Sequence, residues 1–262
     1  MRVKLKVQPN IAILLLTTIL NLDSSYASDG FQPVAECAST ECAVAHYCDP
    51  NSCGIMFEGD ITPQAATDLN MALEKIRTKY IDRFIWIDVD SQGGDVAAAM
   101  RIGSTLRKDP NHAVRIKQSS NCLSSCVFIL AGATQRQIFG RVGIHRPYYP
   151  GIQNLSHELR NARYKELTDD ARLYFERMNI RTDIVDEMFS TPPERIKFLT
   201  DREQTYYGLN RIDPVLEEYM DDFRARKYGL TKIEFYRRKS LVDNQCESSN
   251  DFNACAEEIF MR

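Results

Sequence analysis

The chain has 262 residues, 44% of them apolar and 26% charged, with a formal net charge of −3 at pH 7. That length supports one sizeable α/β core with small additions, and the composition is that of a globular protein rather than a disordered one. There is no basic excess, which argues against a nucleic-acid-binding role, because phosphate backbones are held by clustered Lys and Arg.

The first 27 residues read differently from the rest. Arg2, Lys4 and Lys6 precede an apolar run from Ile11 to Leu20, and Ser25-Tyr26-Ala27 follows with small residues at both ends. A basic head, a short apolar middle and a small-x-Ala end mark a secretory signal peptide. The run is shorter than the roughly 20 residues that a membrane-spanning helix needs. Cleavage after Ala27 is expected, with an uncleaved N-terminal anchor as the alternative. The protein is therefore expected to be exported, to the periplasm or beyond the cell. No later segment has the character of a transmembrane helix.

All eight cysteines follow that segment: Cys37, Cys42, Cys48, Cys53, Cys122, Cys126, Cys246 and Cys255. An even number in an exported chain reads as disulfides. The first four could instead form a four-thiolate zinc site, but zinc pairs usually lie closer in sequence and the compartment is oxidising, so disulfides are favoured and no metal is expected. Local pairing gives Cys37–Cys42, Cys48–Cys53 and Cys246–Cys255.

In chain order, residues 28–54 form a cysteine-bearing lead-in with little periodicity. Gly54 to Glu58 is a short apolar strand. Thr62-Pro63 starts a helix, with a capping hydroxyl and a proline at the first helical position, and Ala65, Leu69, Ala72, Leu73, Ile76 and Tyr80 follow at helical spacing. Phe84 to Val89 suits a buried parallel strand, broken by Ser91-Gln92-Gly93-Gly94. A helix follows from about Asp95 to Leu106, a turn at Asp109-Pro110-Asn111, and a strand from Ala113 to Lys117. Cys122 to Gly132 reads as a helix rich in small residues, and Val142 to His145 as a short strand. Alternating strands and helices with short connections imply a parallel sheet with right-handed crossovers.

Gln153 to Ser190 contains no Pro or Gly. Leu155, Leu159, Ala162, Leu167, Ala171, Tyr174, Phe175 and Met178 make it a long amphipathic helix. Core packing is the preferred reading of that stripe, and a protruding helix serving oligomerisation is the alternative. Residues 214–262 are charged and read as a helical extension closed by Cys246–Cys255.

Three segments carry chemistry together: Ser91 to Val96 at a strand-to-helix turn, Cys122 to Cys126 opening the next helix, and Gly143 to Pro147 at a strand end. A serine hydroxyl becomes a nucleophile when a neighbouring base takes its proton, and a neutral imidazole suits that task. The negative oxygen that develops needs amide N–H groups with open access. Gly93-Gly94 leaves such a backbone open, and a helix start near Ser124 supplies unpaired N–H groups. Ser124 and His145 are thus the candidate catalytic pair, with the N–H groups of Gly94 and Ser125 as the oxyanion hole and Gly93 against the substrate. Ends of neighbouring parallel strands meet at one crevice, so the order of these motifs matters more than any one of them. His46, His112 and His157 have no comparable setting and read as structural or solvent-exposed.

This ordered set resembles the proteolytic subunit of Clp protease and its signal-peptide-peptidase-like relatives in the ClpP/crotonase superfamily. Ser91-Gln92-Gly93-Gly94 stands where Clp subunits have Ser-Pro-Gly-Gly. Ser124-Ser125-Cys126, running on to Ala131-Gly132, resembles their nucleophile segment, and Ile144-His145-Arg146-Pro147 their Ile-His-Gln-Pro. Phe198-Leu199-Thr200 and Tyr207-Gly208-Leu209 look like their Phe-Leu-Ser and Tyr-Gly-Leu. The likeness spans about residues 55–212. It implies a repeated β-β-α spiral with a parallel sheet at 55–213, flanked by small disulfide-bonded extensions.

One departure stands out. The family's third triad member is an Asp two residues before Phe-Leu-Ser, and Ile196 holds that position here. A Ser/His dyad, or another carboxylate such as Glu194 or Asp201, must then serve. Cys122 and Cys126 flank the nucleophile as either a disulfide or two buried thiols, since four residues along a helix is marginal disulfide geometry.

The sequence thus points to an exported serine hydrolase acting on peptides or proteins, with no cofactor. There is no P-loop pattern, so no ATPase partner is expected; Clp relatives form rings, so a homo-oligomer is compatible with the resemblance. The competing readings are a catalytically inactive ClpP-like module that binds a peptide or protein, and a crotonase-like acyl-thioester enzyme, which has little use for a Ser/His pair.

Overall fold

The computed structural model describes residues 44–262 apart from 50, 51, 82, 149 and 150. The signal peptide expected at 1–27 and the Cys37–Cys42 bridge lie outside the described residues.

β1 (Val44–Cys48) and β2 (Ser52–Glu58) form an antiparallel hairpin joined by the Cys48–Cys53 disulfide. Thr62 Oγ1 accepts from the Ala65 N–H at 3.0 Å and Pro63 opens α1 (Pro63–Lys79), satisfying an otherwise orphaned amide. β3 (Phe84–Asp90) runs parallel to β2 with Ile85, Ile87 and Val89 buried. The Asp95 carboxylate caps α2 (Val96–Leu106), and β4 (His112–Ile116) lies parallel to β3. Two short strands, β5 (Asn121–Leu123) and β6 (Arg136–Ile138), flank α3 (Cys126–Gly132), and β7 (Arg141–Ile144) follows. The main sheet has the order β1-β2-β3-β4-β6, parallel throughout except for the β1 edge. A second sheet sets β7 between β5, parallel to it, and β8 (Lys197–Phe198), antiparallel. The architecture is α/β with a parallel sheet, as read from the pattern.

The segment read as one helix from Cys122 to Gly132 is divided. Cys122 and Leu123 pair with Val142 and Gly143 as strand, and the helix begins only at Cys126. All of α3 is buried, and it crosses α2 closely: a Cβ on Gly132 would stand 2.3 Å from the Gly103 Cα. Only glycines permit that approach.

The long helix is also divided. α4 (His157–Arg177) ends where Asn179 adopts a left-handed φ of 57°, and α5 (Ile184–Ser190) follows. Asn takes the helix-terminating role usually given to Gly. Leu167, Ala171, Tyr174, Phe175 and Met178 are buried, and the Tyr174 hydroxyl donates to the Phe128 carbonyl at 2.6 Å. Leu155, Leu159 and Ala162 are exposed, so the core-packing reading holds only for the C-terminal half of the stripe.

α6 (Asp201–Tyr207) carries a Thr200/Glu203 capping box. α7 (Pro214–Lys227), α8 (Lys232–Gln245) and α9 (Phe252–Met261) share a small separate core of Ala225, Phe235, Val242, Cys246, Ile259 and Phe260, crossed by the Cys246–Cys255 disulfide. Asp213, the cap of α7, ties this extension inward by pairing with Arg136 at 2.5 Å and Arg107 at 2.7 Å. Among the described residues no helix is long and apolar enough to cross a membrane.

Candidate active site

The site is assembled from the C-terminal ends of β3, β5 and β7. Beyond β3, the Ser91 N–H donates to the Asn121 carbonyl at 2.8 Å and the Leu123 N–H donates to the Ser91 carbonyl at 3.0 Å, which lays Ser91 beside Cys122. Ser91 Oγ donates to the Gly59 carbonyl at 2.6 Å and accepts from the Gly93 N–H at 3.1 Å. This side chain fixes the turn, a role that sequence reading missed because a serine in a turn carries no distinctive signal.

Ile61 then clamps the glycines. Its N–H donates to the Gly93 carbonyl at 2.8 Å, and its carbonyl accepts from the Asp95 N–H at 2.7 Å. In such a parallel bridge the central residue's own N–H points away from the partner, so the Gly94 amide faces away from Ile61. Gly93 and Gly94 have φ of 111° and 145°. A Cβ on Gly94 would stand 2.3 Å from the Ile61 carbonyl oxygen, and one on Gly93 would stand 2.6 Å from Ser124 Cβ. Glycine is required at both positions by backbone conformation and by approach.

Ser124 has a φ of 56°, in the left-handed region, where a non-glycine residue is strained by about 1–2 kcal/mol. Its N–H donates to the Gly143 carbonyl at 2.9 Å, and its carbonyl accepts from the Val127 N–H at 3.2 Å. Cys122 and Cys126 are bridged, with Cα atoms 5.1 Å apart. The doubt about their geometry assumed both on one helix; Cys122 is on a strand, and the span falls within the roughly 4.4–6.8 Å a disulfide bridges. Ser125 occupies the N-cap position of α3 without a side-chain capping bond, its hydroxyl buried and unpartnered. Among the described residues neither the Gly94 nor the Ser125 N–H has a hydrogen-bond partner.

His145 stands one residue past β7. Its Nδ1 lies 2.9 Å from the Arg146 carbonyl oxygen. A carbonyl only accepts, so this contact assigns the proton to Nδ1 and leaves Nε2 as the basic nitrogen. Among the described residues no hydrogen bond joins Ser124 Oγ to the His145 ring. The two side chains are brought to the ends of adjacent paired strands and are not bonded in this state.

Ile196 sits beside this end of β7: a Cβ on Gly143 would stand 2.5 Å from Ile196 Cγ2. His145 follows Gly143 by two residues, just past the end of the strand. Glu194 and Asp201 are exposed, and neither carboxylate bonds to the His145 ring. The charged groups near β8 are engaged elsewhere. Lys197 Nζ lies 2.7 Å from Glu187 and 2.9 Å from Glu203, which pushes the ammonium pKa up. The Glu203 carboxyl is held down to about 2, chiefly by Lys197 and then by the Thr200 N–H.

Of the other histidines, His112 is wholly buried with both ring nitrogens unpartnered, His46 is partly buried on β1, and His157 is exposed beside Asn161. Among the described residues no group of three or more His, Cys, Asp or Glu is placed to hold a metal ion.

The model of the family described as Clp protease matches residues 50–219. Among solved structures, a serine-to-alanine mutant of the 1510-N membrane-bound stomatin-specific protease is similar, at 15% identity over 63% of this chain and 80% of that one, with a TM-score of 0.45. No curated protein matches the chain.

Proposed function

The chain belongs to the Clp protease family, and from that premise we propose that it is an exported serine peptidase in which Ser124 is the nucleophile and His145 its base. The observation that carries the reading is the convergence of Gly94, Ser124 and His145 at the ends of β3, β5 and β7, with the Gly94 and Ser125 amides unpartnered beside a serine held in a left-handed turn.

In the proposed reaction His145 Nε2 takes the Ser124 hydroxyl proton as Oγ attacks the peptide carbonyl carbon. The carbonyl electron pair moves to oxygen, which the Gly94 and Ser125 N–H groups hold. The intermediate collapses, the C–N bond breaks, and His145 returns the proton to the leaving amine. Water then cleaves the acyl-enzyme by the same steps. Gly93, whose missing Cβ makes room for the Ser124 side chain, is proposed to lie against the peptide. Triads use a carboxylate to hold the base's Nδ1–H; here the Arg146 carbonyl takes that place, compatible with an isoleucine at 196. The Ser124–His145 hydrogen bond forms when substrate closes the site, as in enzymes whose catalytic bonds tighten in the bound complex.

Export rests on the segment at 1–27, and a homo-oligomer would use the exposed N-terminal half of α4, which carries Leu159 and Ala162. The second reading, an inactive peptide-binding module, is favoured by Ile196 and by the unbonded pair.

A serine-directed fluorophosphonate probe separates the two. The peptidase reading expects covalent labelling that is abolished by Ser124→Ala and reduced on the order of a thousandfold or more by His145→Ala. Labelling that survives both substitutions, or wild-type protein that never labels, contradicts it.

A further inference from the structure

The Cys122–Cys126 disulfide takes no part in the proposed acyl transfer, yet Ser124 lies midway along the loop it closes. We infer that this disulfide is a positioning device for the nucleophile, and that acylation of Ser124 requires it to be oxidised; the inference rests on reading Ser124 as the nucleophile.

Ser124 holds a left-handed φ of 56°, a conformation that persists in a non-glycine residue only when its surroundings impose it. The two anchors of the loop are of different kinds. Cys122 is fixed in β5, paired with Val142 and bridged to Ser91, whereas Cys126 is the first residue of α3. The disulfide joins these anchors at a Cα–Cα distance of 5.1 Å with three residues between them, so the strand-to-helix turn cannot open.

The turn also has no slack on its other contact. Gly93 approaches so closely that even a methyl group there would stand 2.6 Å from Ser124 Cβ and 3.2 Å from its Oγ. A relaxation of φ at Ser124 would move Oγ relative to both glycines and to the Ser125 amide. Both cysteines are wholly buried. The loop closed is among the shortest a disulfide can close, so its effect on the entropy of the unfolded chain is less than that of a longer loop. Local geometry at Ser124 is the other quantity the bond governs.

The test compares wild type, Cys122→Ala/Cys126→Ala, and Cys246→Ala/Cys255→Ala as a control for losing a disulfide far from the site. Each is followed for fluorophosphonate labelling kinetics and thermal unfolding. The expected result is a fall in the maximal labelling rate of roughly 10- to 100-fold in the first variant, with the probe's half-saturating concentration little changed and the control labelling as wild type. A merely structural bond would lower Tm in both variants and leave the maximal rate alone.

Should the first variant not fold, wild-type protein is titrated with dithiothreitol under native conditions, and the 122/126 thiols are counted by alkylation and mass mapping. Reduction breaks one S–S bond, yields two thiols and oxidises the dithiol to its cyclic disulfide. Labelling should then fall in step with the reduced fraction. Labelling at the wild-type rate by protein lacking this disulfide overturns the positioning role while leaving the nucleophile intact. Failure of untreated wild type to label at Ser124 removes the nucleophile reading itself, and this inference with it.

Discussion

At the scale of single residues, backbone amides and side-chain hydroxyls play separable roles. The Ser125 hydroxyl is buried without a partner, whereas its N–H is the group proposed to hold the oxyanion. Ser125→Ala should therefore leave fluorophosphonate labelling within about threefold of wild type and stability unchanged or raised by about 1 kcal/mol, since an unmet desolvation penalty is removed. Labelling lost in that variant, with the fold intact, would mean that the hydroxyl is the working group. Gly93→Ala should behave oppositely. A positive φ of 111° and a 2.6 Å approach to Ser124 Cβ leave no room for the methyl group, so labelling should fall roughly 10- to 100-fold. Ile196→Asp places a carboxylate beside Gly143, two residues before His145. If the Arg146 carbonyl is a weaker orienter than a carboxylate, the labelling rate should rise several-fold, and no change would mean that the carbonyl already suffices.

The placement of Ser124 and His145 just past the ends of two paired strands was legible in the sequence because each sits in a motif whose neighbours are also constrained. The Arg146 carbonyl was not, because a backbone oxygen has no sequence identity. The clamp on Gly93 and Gly94 by Ile61 was equally hidden, being a contact between segments whose register only the fold determines.

At the scale of elements, strand pairing overrode local pattern. Cys122 to Gly132 has helical composition, but pairing of Cys122 and Leu123 with β7 commits the first part to strand, and the turn this forces is where Ser124 lies. A Pro- and Gly-free stretch likewise concealed a helix end, because Asn179 supplied the left-handed residue. β4 carries a further consequence. His112, its first residue, is wholly buried and its pKa is lowered to about 3, chiefly by burial and then by the Arg77 charge. The folded state keeps the ring neutral where the unfolded chain, titrating near its ordinary value of about 6.5, takes up a proton. Stability from this group is complete above pH 6.5 and is lost as pH falls toward 3, by up to about 1.4 kcal/mol per pH unit. Thermal unfolding of His112→Leu should accordingly show a flatter acid limb than wild type between pH 6 and about 4; an unchanged slope would place the acid sensitivity elsewhere.

At the scale of the whole molecule, the parallel sheet followed from the alternation of strands and helices between residues 54 and 145, and the helical C-terminal segment from its charged composition. How that last segment is held did not. Asp213 accepts from Arg107, Arg136 and Asn179 while capping α7, and both Arg136 and Asp213 are 1% exposed in their side chains. Burial lowers the Arg136 pKa to about 10, and the Asp213 charge opposes that shift. Removing the carboxylate leaves a buried cation uncompensated, so Asp213→Ala should cost about 3–5 kcal/mol in unfolding free energy. A loss below about 1 kcal/mol, as for an exposed pair, would show that water or another acceptor replaces it. Partners far apart in sequence and polar in character give no periodic signal, which is why this anchor escaped the pattern.

The central claim is that one serine, one imidazole and two amides form a working acyl-transfer site. It is tested most directly by a crystal structure of the protein after reaction with a fluorophosphonate. The account predicts phosphorus bonded to Ser124 Oγ, a phosphonyl oxygen about 2.7–3.1 Å from both the Gly94 and Ser125 amide nitrogens, and His145 Nε2 turned toward the adduct with Nδ1 still on the Arg146 carbonyl. An adduct on another residue, or one on Ser124 whose oxygen meets neither amide, would contradict it.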